Sequence, residues 1–316
     1  METTNQLYSA GRHVLKMVAN AIVGKDDVIL RVFLTMLARG HVLLEDIPGV
    51  GKTTLAIAFS KALNLKYNRV QFTPDILPSD VTGFSVFNKE TGNMDYTRGA
   101  VICNLFLADE LNRANSRTQS ALLEAMEEGQ VTVDGVTYPI PQPFIVIATQ
   151  NPVGAAGTQL LPDSQIDRFM VRLSLGYPGH NDELSLLQRK QGNNMLDYVK
   201  PVVTSEVLEL MRKEVDRVHV DPALLGYIVT LVGKTRSHPD ILLGASPRAS
   251  ISLTAISKAM AYLQGRDYIV PKDVTALFID TLSHRLILRP GAENENITAG
   301  KILDGILRSV YAPRIS

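Results

Sequence analysis

Apolar positions in the first half of the chain alternate between two spacings. Over residues 14–22 and 28–38 they recur every three to four residues, which predicts two amphipathic helices. The spacing then collapses into a short apolar run, His41-Val-Leu-Leu-Glu-Asp46, halted at Pro48-Gly49, and such a run suits a buried strand. Helical spacing returns over residues 53–63. Two further runs, Leu105-Phe-Leu-Ala108 and Phe144-Ile-Val-Ile-Ala148, each end in polar residues. Buried strands separated by helices predict an α/β domain, an αβα layering in which a mostly parallel sheet is covered on both faces. Between the last two runs, Ser116-x-x-Gln119 reads as a capping box for a helix carrying Leu122, Leu123 and Met126 and stopping at Gly129. Residues 131–138 alternate with period two around Asp134-Gly135, a strong hairpin signal. A second hairpin insert is expected over residues 84–98, turned near Thr91-Gly92-Asn93.

The pattern changes after Leu175. Gly176-Tyr-Pro-Gly179 reads as a hinge, and nearly everything beyond it is expected to be helical. Asp221-Pro222 caps and opens a helix running through Val232, Ser246-Pro247 repeats that device before residues 251–263, and helices follow over 272–286 and 299–311. Two domains are therefore expected: an αβα core over residues 1–178 and an all-helical lid over 179–316. In the lid, Leu225, Ile228, Val229 and Val232 form a helical stripe read as core, and Lys272 and Asp273 read as polar residues of a helix start. No repeat or low-complexity tract breaks the pattern.

Composition narrows the function classes. Lys+Arg and Asp+Glu number 32 each, giving a formal net charge of zero, which argues against a protein that coats nucleic acid. The single cysteine, Cys103, lies in an apolar run and reads as a core residue; a disulfide framework or thiolate metal site is excluded. No leader pattern is visible, and no uncharged apolar run approaches the roughly 18 residues a membrane span needs, so a cytoplasmic protein is expected. Of the histidines, His219, His238 and His284 lack ligand spacing and read as surface or lid residues.

The chemistry is concentrated at strand ends. Pro48-Gly49-Val50-Gly51-Lys52-Thr53-Thr54 stands between a predicted strand and a predicted helix. Glycines there let backbone N–H groups turn toward phosphate oxygens, and the helix N-terminus adds about half a positive charge. Lys52 would reach the β- and γ-phosphates of a nucleoside triphosphate, and the Thr53 hydroxyl would ligate Mg²⁺. By itself Gly-Lys-Ser/Thr occurs by chance in about one chain in seven of this length. The fuller signature also asks for glycine where Asp46 stands. A like charge about 4 Å from phosphate would cost roughly 1–4 kcal/mol, so Asp46 must point away or be paired. The run Leu105-Phe-Leu-Ala-Asp109-Glu110 brings two acids to a strand's carboxyl end, the edge at which ligands collect in open parallel sheets. Asp109 suits the metal's water shell, and Glu110 suits orienting and deprotonating an attacking water. Asn151, ending the run from Phe144, can bond that water or the γ-phosphate, or it serves turn chemistry before Pro152.

Arg248 falls in the first turn of a helix, where a cation opposes the dipole by about 0.3–1 kcal/mol, which suggests an anionic partner. Arg168, in Gln165-Ile-Asp-Arg-Phe169, is either a phosphate-directed cation or half of a salt bridge. Arg113 and Arg117 flank a helix start, facing either a neighbouring subunit or local acids.

Taken together, the motifs resemble those of the AAA+ ATPases, and within them the MoxR group. The marks are Leu43-Leu-Glu-Asp-Ile-Pro-Gly-Val-Gly-Lys-Thr53, Gln71-Phe-Thr-Pro-Asp-Ile-Leu-Pro-Ser-Asp-Val-Thr-Gly83, Asp109-Glu-Leu-Asn-Arg-Ala114, Ala148-Thr-Gln-Asn-Pro152, Asp167-Arg-Phe169 and Gly244-Ala-Ser-Pro-Arg248. The resemblance covers nearly the whole chain. It implies Mg²⁺-dependent ATP hydrolysis, Asn151 and Arg248 as first and second sensor residues, and Arg168 as an arginine finger completing a neighbour's site. Val23 and Gly24 would flank the adenine. Both hairpins would face the channel of a ring, a hexamer in the usual case. The implied role is chaperone-like remodelling or maturation of client proteins, often ones with von Willebrand factor A domains. A nucleotide-dependent scaffold and a DNA-directed motor are the alternative readings.

Overall fold

The computed structural model describes residues 2–151, 161–189 and 195–314. Two helices come first, α1 (Glu2–Ala19) and α2 (Asp26–Leu37), followed by strand β1 (Val42–Glu45), helix α3 (Lys52–Ala62) and strand β2 (Tyr67–Gln71). A short helix α4 (Pro78–Thr82) leads into the hairpin β3 (Gly83–Phe87) and β4 (Met94–Arg98). Strand β5 (Leu105–Asp109), helix α5 (Ser116–Glu128), the hairpin β6 (Gln130–Val133) and β7 (Val136–Pro139), and strand β8 (Ile145–Gln150) follow. The unit closes with α6 (Asp163–Ile166) and β9 (Val171–Leu173).

The central sheet is parallel throughout, in the order β2-β5-β8-β1-β9. Side chains alternate between its faces, and the core divides accordingly. Leu44, Leu105, Leu107, Ile145 and Ile147 enter the core beneath α1, α2 and α3. Leu43, Phe106, Ala108, Val146 and Ala148 enter the opposite core, roofed by α5 and including Cys103. Burial on both faces explains why these strands read as unbroken apolar runs.

The second part contains α7 (His180–Arg189), α8 (Ser205–Arg217), α9 (Pro222–Arg236), β10 (Ile241–Leu243), α10 (Pro247–Leu263), α11 (Pro271–Leu282), β11 (Ile287–Leu288) and α12 (Ala299–Ser309). Its core is continuous with the first face of the sheet: Leu208, Met211, Leu253 and Leu277 join the cluster that holds Phe33 and Phe59. α1 and α2 together form the bridge, each packing on α8 and α10 of the second part, with α1 also on α3.

Several sequence expectations change here. β2 is an edge strand with a polar, half-exposed pattern (Tyr67-Asn-Arg-Val-Gln71), so no apolar run marked it. β9 has three residues, too few to show a period. The antiparallel pair β10–β11 interrupts the otherwise helical second part. Helix α5 is capped by Asn115, whose side chain accepts from the Thr118 amide, and not by Ser116. The Asp221 carboxylate caps α9 by accepting from the Ala223 amide. The Ser246 hydroxyl, by contrast, leaves the α10 backbone and donates to Asp167. In the α9 stripe Ile228 and Val232 are buried, whereas Leu225 and Val229 are 42% and 61% exposed, so only half of it is core. Asp273 is a buried cap: it accepts from the Val270 amide and pairs with Arg266.

Candidate functional site

The sequence folds the strand-to-helix turn around glycine. Gly49 and Gly51 have φ of 87° and 99°, a region that penalises any Cβ. A Cβ added at either would meet nothing within 4 Å, so the backbone conformation and not crowding calls for glycine at the start of α3. Val50 turns inward and packs against the core. The turn lines one wall of a cavity of about 330 Å³ through Pro48, Gly49, Gly51, Lys52, Thr53 and Thr54. Asp109, Glu110, Asn151 and Arg69 line the remainder.

Lys52 is buried, and its ammonium donates to the Asp46 carbonyl at 2.7 Å and the Ile47 carbonyl at 3.3 Å. Burial pulls its pKa down, and the charges of Asp46, Asp109 and Glu110 work against that pull. The Asp46 carboxylate is turned away from the cavity. It accepts from the Leu175 amide, from the Ser174 hydroxyl at 2.9 Å and from the Gly176 amide at 3.1 Å. The carboxylate is thus turned aside and hydrogen-bonded by neutral groups, and it is absent from the lining of the cavity.

In a regular strand, consecutive side chains point to opposite faces, and Asp109 and Glu110 could not share a cavity. The chain solves this at Glu110, whose φ of 56° and ψ of 45° are left-handed. For a non-glycine residue that conformation costs of order 1–3 kcal/mol, and here it returns Glu110 to the side of Asp109. Thr149 in β8 fastens both acids. Its hydroxyl donates to Asp109 Oδ1 at 2.7 Å and accepts from the Glu110 amide at 2.8 Å. Arg69 in β2 pairs with Asp109 Oδ2 at 2.8 Å and reaches Gln71 Oε1 at 2.8 Å. The Glu110 carboxylate is held by Arg113 at 2.8 Å and by the Asn151 amide group at 3.1 Å. Arg113 foremost, together with Asn151, keeps that carboxyl below the usual carboxylate range. Asn151 is itself set by Asn112, which donates to its carbonyl at 3.2 Å and accepts from its amide at 3.4 Å. Pro152, which follows, lies outside the described residues.

Arg168 and Arg248 do not line this cavity. They converge elsewhere, on Glu127 near the end of α5: Arg168 at 3.1 Å and Arg248 at 2.7 Å, one carboxylate oxygen each. His41, Met126 and Glu127 border the same recess. His41 is buried, its Nδ1 accepting from the Val146 amide at 3.0 Å and its Nε2 donating to the Met126 carbonyl at 3.2 Å. Val23 and Gly24 also stand apart from the cavity walls. A Cβ on Gly24 would lie 2.1 Å from the Asp182 carboxylate of α7, and Lys25 donates to the Tyr177 carbonyl at 2.8 Å.

Sequence reasoning missed Arg69, Thr149 and Asn112 as parts of this network and left Arg113 open between two readings. Arg113 had a signal in its spacing, three residues after Glu110. Arg69 had none, because β2 itself was not recognised. Of the two readings of His284, the surface one fails: it lies in the second part of the chain but is buried there and donates through Nε2 to the Phe169 carbonyl at 3.0 Å.

A pair of acids at a strand end, facing a glycine-lined turn and its lysine, is an arrangement suited to hydrolysis of a phosphoanhydride. Comparison with known proteins points the same way. Residues 41–171 match the family described as ATPase family associated with various cellular activities (AAA), and residues 233–306 match the AAA lid domain. The chain is 47% identical over 292 residues to the uncharacterized protein YeaC of Bacillus subtilis, covering 92% of this chain and 91% of that one. It is 36% identical over 308 residues to chaperone MoxR1 of Mycobacterium tuberculosis, covering 95% and 81% respectively. A crystal structure of a protein assigned as an ATPase from Cytophaga hutchinsonii superposes with a TM-score of 0.92 at 38% identity, covering 99% and 98% of the two chains. Family matches in both halves, near full-length relatives and the shared fold lead to one assignment: this chain is an AAA+ ATPase of the MoxR type.

Proposed function

We propose that the chain hydrolyses ATP with Mg²⁺ in the cavity between the α3 turn and the ends of β5 and β8, as one subunit of a ring, and that the cycle remodels client proteins. The observation that carries this reading is that one cavity is lined by Lys52, Thr53, Asp109, Glu110 and Asn151. Among the described residues no cluster of three His, Cys, Asp or Glu side chains is placed to cage a metal unaided. The donors present, the Thr53 hydroxyl and the Asp109 carboxylate, are hard oxygens that fit a Mg²⁺ whose other ligands are phosphate oxygens and water. When bound there, the ion neutralises charge on the phosphates. Lys52 adds a point charge to the same end of the nucleotide. Glu110, once released from Arg113, accepts a proton from the attacking water, and Asn151 orients that water. Val23 and Gly24, against α7, border the base. The chain divides near residue 178 into the nucleotide-binding core and the lid.

Arg168 keeps its expected role at the nucleotide of an adjacent subunit, and Arg248, expected as the second sensor of its own chain's site, is reassigned to that same adjacent nucleotide. Their joint attachment to Glu127, away from the walls of the cavity in their own chain, supports this reading. The chaperone-like role rests on the relation to MoxR1. A client bearing a von Willebrand factor A domain is the first candidate. The test is the Glu110→Gln variant, assayed for phosphate release and for binding of a fluorescent ATP analogue. Binding within about threefold of the parent and turnover lower by roughly 100-fold or more are expected. Equal turnover refutes the mechanism.

A further inference from the structure

Arg285 ends the 3₁₀ turn Ser283–Arg285 that follows α11, and its side chain is 2% exposed. Four of the six hydrogen bonds of its guanidinium go to the short segment that carries Arg168. Nε donates to Asp167 Oδ1 at 2.7 Å. Nη2 donates to the Phe169 carbonyl at 2.9 Å and the Asp167 carbonyl at 3.2 Å, and Nη1 reaches the Met170 carbonyl at 3.5 Å. The remaining bonds fix the guanidinium itself: the Thr281 carbonyl at 2.6 Å and the Ser252 hydroxyl at 3.2 Å. Arg168 is therefore flanked on both sides by residues tied to Arg285. The second oxygen of Asp167 accepts from the Ser246 hydroxyl at 3.1 Å. Ser246 is the N-cap residue of α10, two residues before Arg248, so the Asp167 carboxylate, itself next to Arg168 in the chain, ties the start of the helix that carries Arg248 to the segment that carries Arg168.

Burying a guanidinium costs it its hydration even when it is paired, and an apolar side chain would fill the space without that cost. What arginine adds is a rigid planar fork that sets several acceptors at once.

We infer that Asp167 and Arg285 are positioning residues, whose buried clamp sets Arg168 and Arg248 as one cationic pair for the triphosphate of the adjacent subunit. The inference rests on the assignment of those arginines made above. Arginines at a transferring phosphoryl group are worth about 10³–10⁵ in rate, and a displacement of about 1 Å can cost roughly 100-fold. Releasing the clamp while leaving both arginines in the chain should lower kcat by roughly 10- to 100-fold. Nucleotide affinity, set by the chain's own turn, should change less than about twofold, because the clamp touches none of the cavity walls.

The experiment uses full-length Asp167→Asn, Ser246→Ala and Arg285→Met, each assayed alone and after mixing with an excess of Glu110→Gln chains. Glu110→Gln subunits turn over little but carry an intact clamp and intact arginines. In mixed rings they present correctly set arginines to the unaltered nucleotide site of the clamp variant. Turnover per clamp-variant subunit should recover to at least half the parental value, and Arg168→Ala mixed in the same way should recover alike. Damage to the variant's own nucleotide site would not be rescued. Recovery by Arg168→Ala but not by Asp167→Asn overturns the clamp while leaving the underlying assignment standing. No recovery by Arg168→Ala overturns the assignment, and the clamp with it. Should Arg285→Met fail to fold, Asp167→Asn decides, since it keeps the shape and loses the charge; parental kcat in that variant alone also refutes the inference.

Discussion

Thr149 offers the most direct measure of what holds the two acids in place. It is fully buried, and one hydroxyl supplies both the proton accepted by Asp109 Oδ1 and the lone pair used by the Glu110 amide. Valine has the same shape without the hydroxyl, so Thr149→Val removes two hydrogen bonds without opening a cavity. The bond to the carboxylate is of the charged kind, worth about 1.5–3 kcal/mol, and the amide bond about 0.5–1.5 kcal/mol. Asp109 keeps Arg69 on its other oxygen, but Arg69 does not reach Oδ1. The expected loss is about 2–4 kcal/mol, which for the nucleotide-binding part corresponds to a fall in Tm of roughly 5–15 °C. Differential scanning calorimetry without nucleotide measures it. Thr149→Ser keeps the hydroxyl and should retain most of the stability, losing about 1 kcal/mol for the missing methyl. A Thr149→Val midpoint within about 2 °C of the parent would show that the hydroxyl does not fasten the acids, and the argument from this network would fail.

Three further outcomes are expected. His41 is buried with its pKa lowered from 6.5 to about 4 by desolvation, so the unfolded chain binds more protons than the folded one between those values. Stability contributed by the neutral ring is complete above about pH 6.5 and is lost as pH falls toward 4, by up to about 3 kcal/mol. His41→Asn should flatten the dependence of Tm on pH over that window, and an unchanged slope would count against the buried neutral ring. Arg113→Ala releases Glu110 from a partly exposed ion pair worth about 0.5–1 kcal/mol, so client-free phosphate release should rise roughly two- to fivefold; a fall would show that Arg113 assists the reaction. Tyr96 and Tyr138 stack at 3.8 Å between ring centroids, joining the two hairpins. A Tyr96→Ala, Tyr138→Ala double-mutant cycle should give a coupling of about 0.5–1.5 kcal/mol by denaturant unfolding, and additivity would mean that the hairpins are independent.

Legibility of the sequence followed burial. β1, β5 and β8 are buried on both faces, so each reads as an apolar run whose end is marked by polar residues. The hairpin β6–β7 announced itself because Asp134 and Gly135 both have positive φ, a requirement that few residue pairs meet. β2 and β9 sit at the sheet edges with one face open or too few residues to show a period, and they were silent. Lys52, Asp109 and Glu110 were legible because their types and positions suit the chemistry. Thr149 and Arg69 were not, because their meaning lies in the lateral pairing of β2, β5 and β8, which no local spacing encodes. The same holds for Glu127: an acid on a helix is unremarkable until α10 and the segment after α6 bring two arginines to it.

The pairing of Asp46 carries a mechanical implication. Its carboxylate grips residues 174–176, where β9 gives way to the connection toward α7, while its carbonyl accepts from Lys52. A single residue therefore belongs both to the lysine's resting place and to the connection that leads from the sheet into the second half of the chain. The lysine and the start of that connection are linked through one residue, the main chain of Asp46 serving the first and its carboxylate the second, with no relay across the sheet.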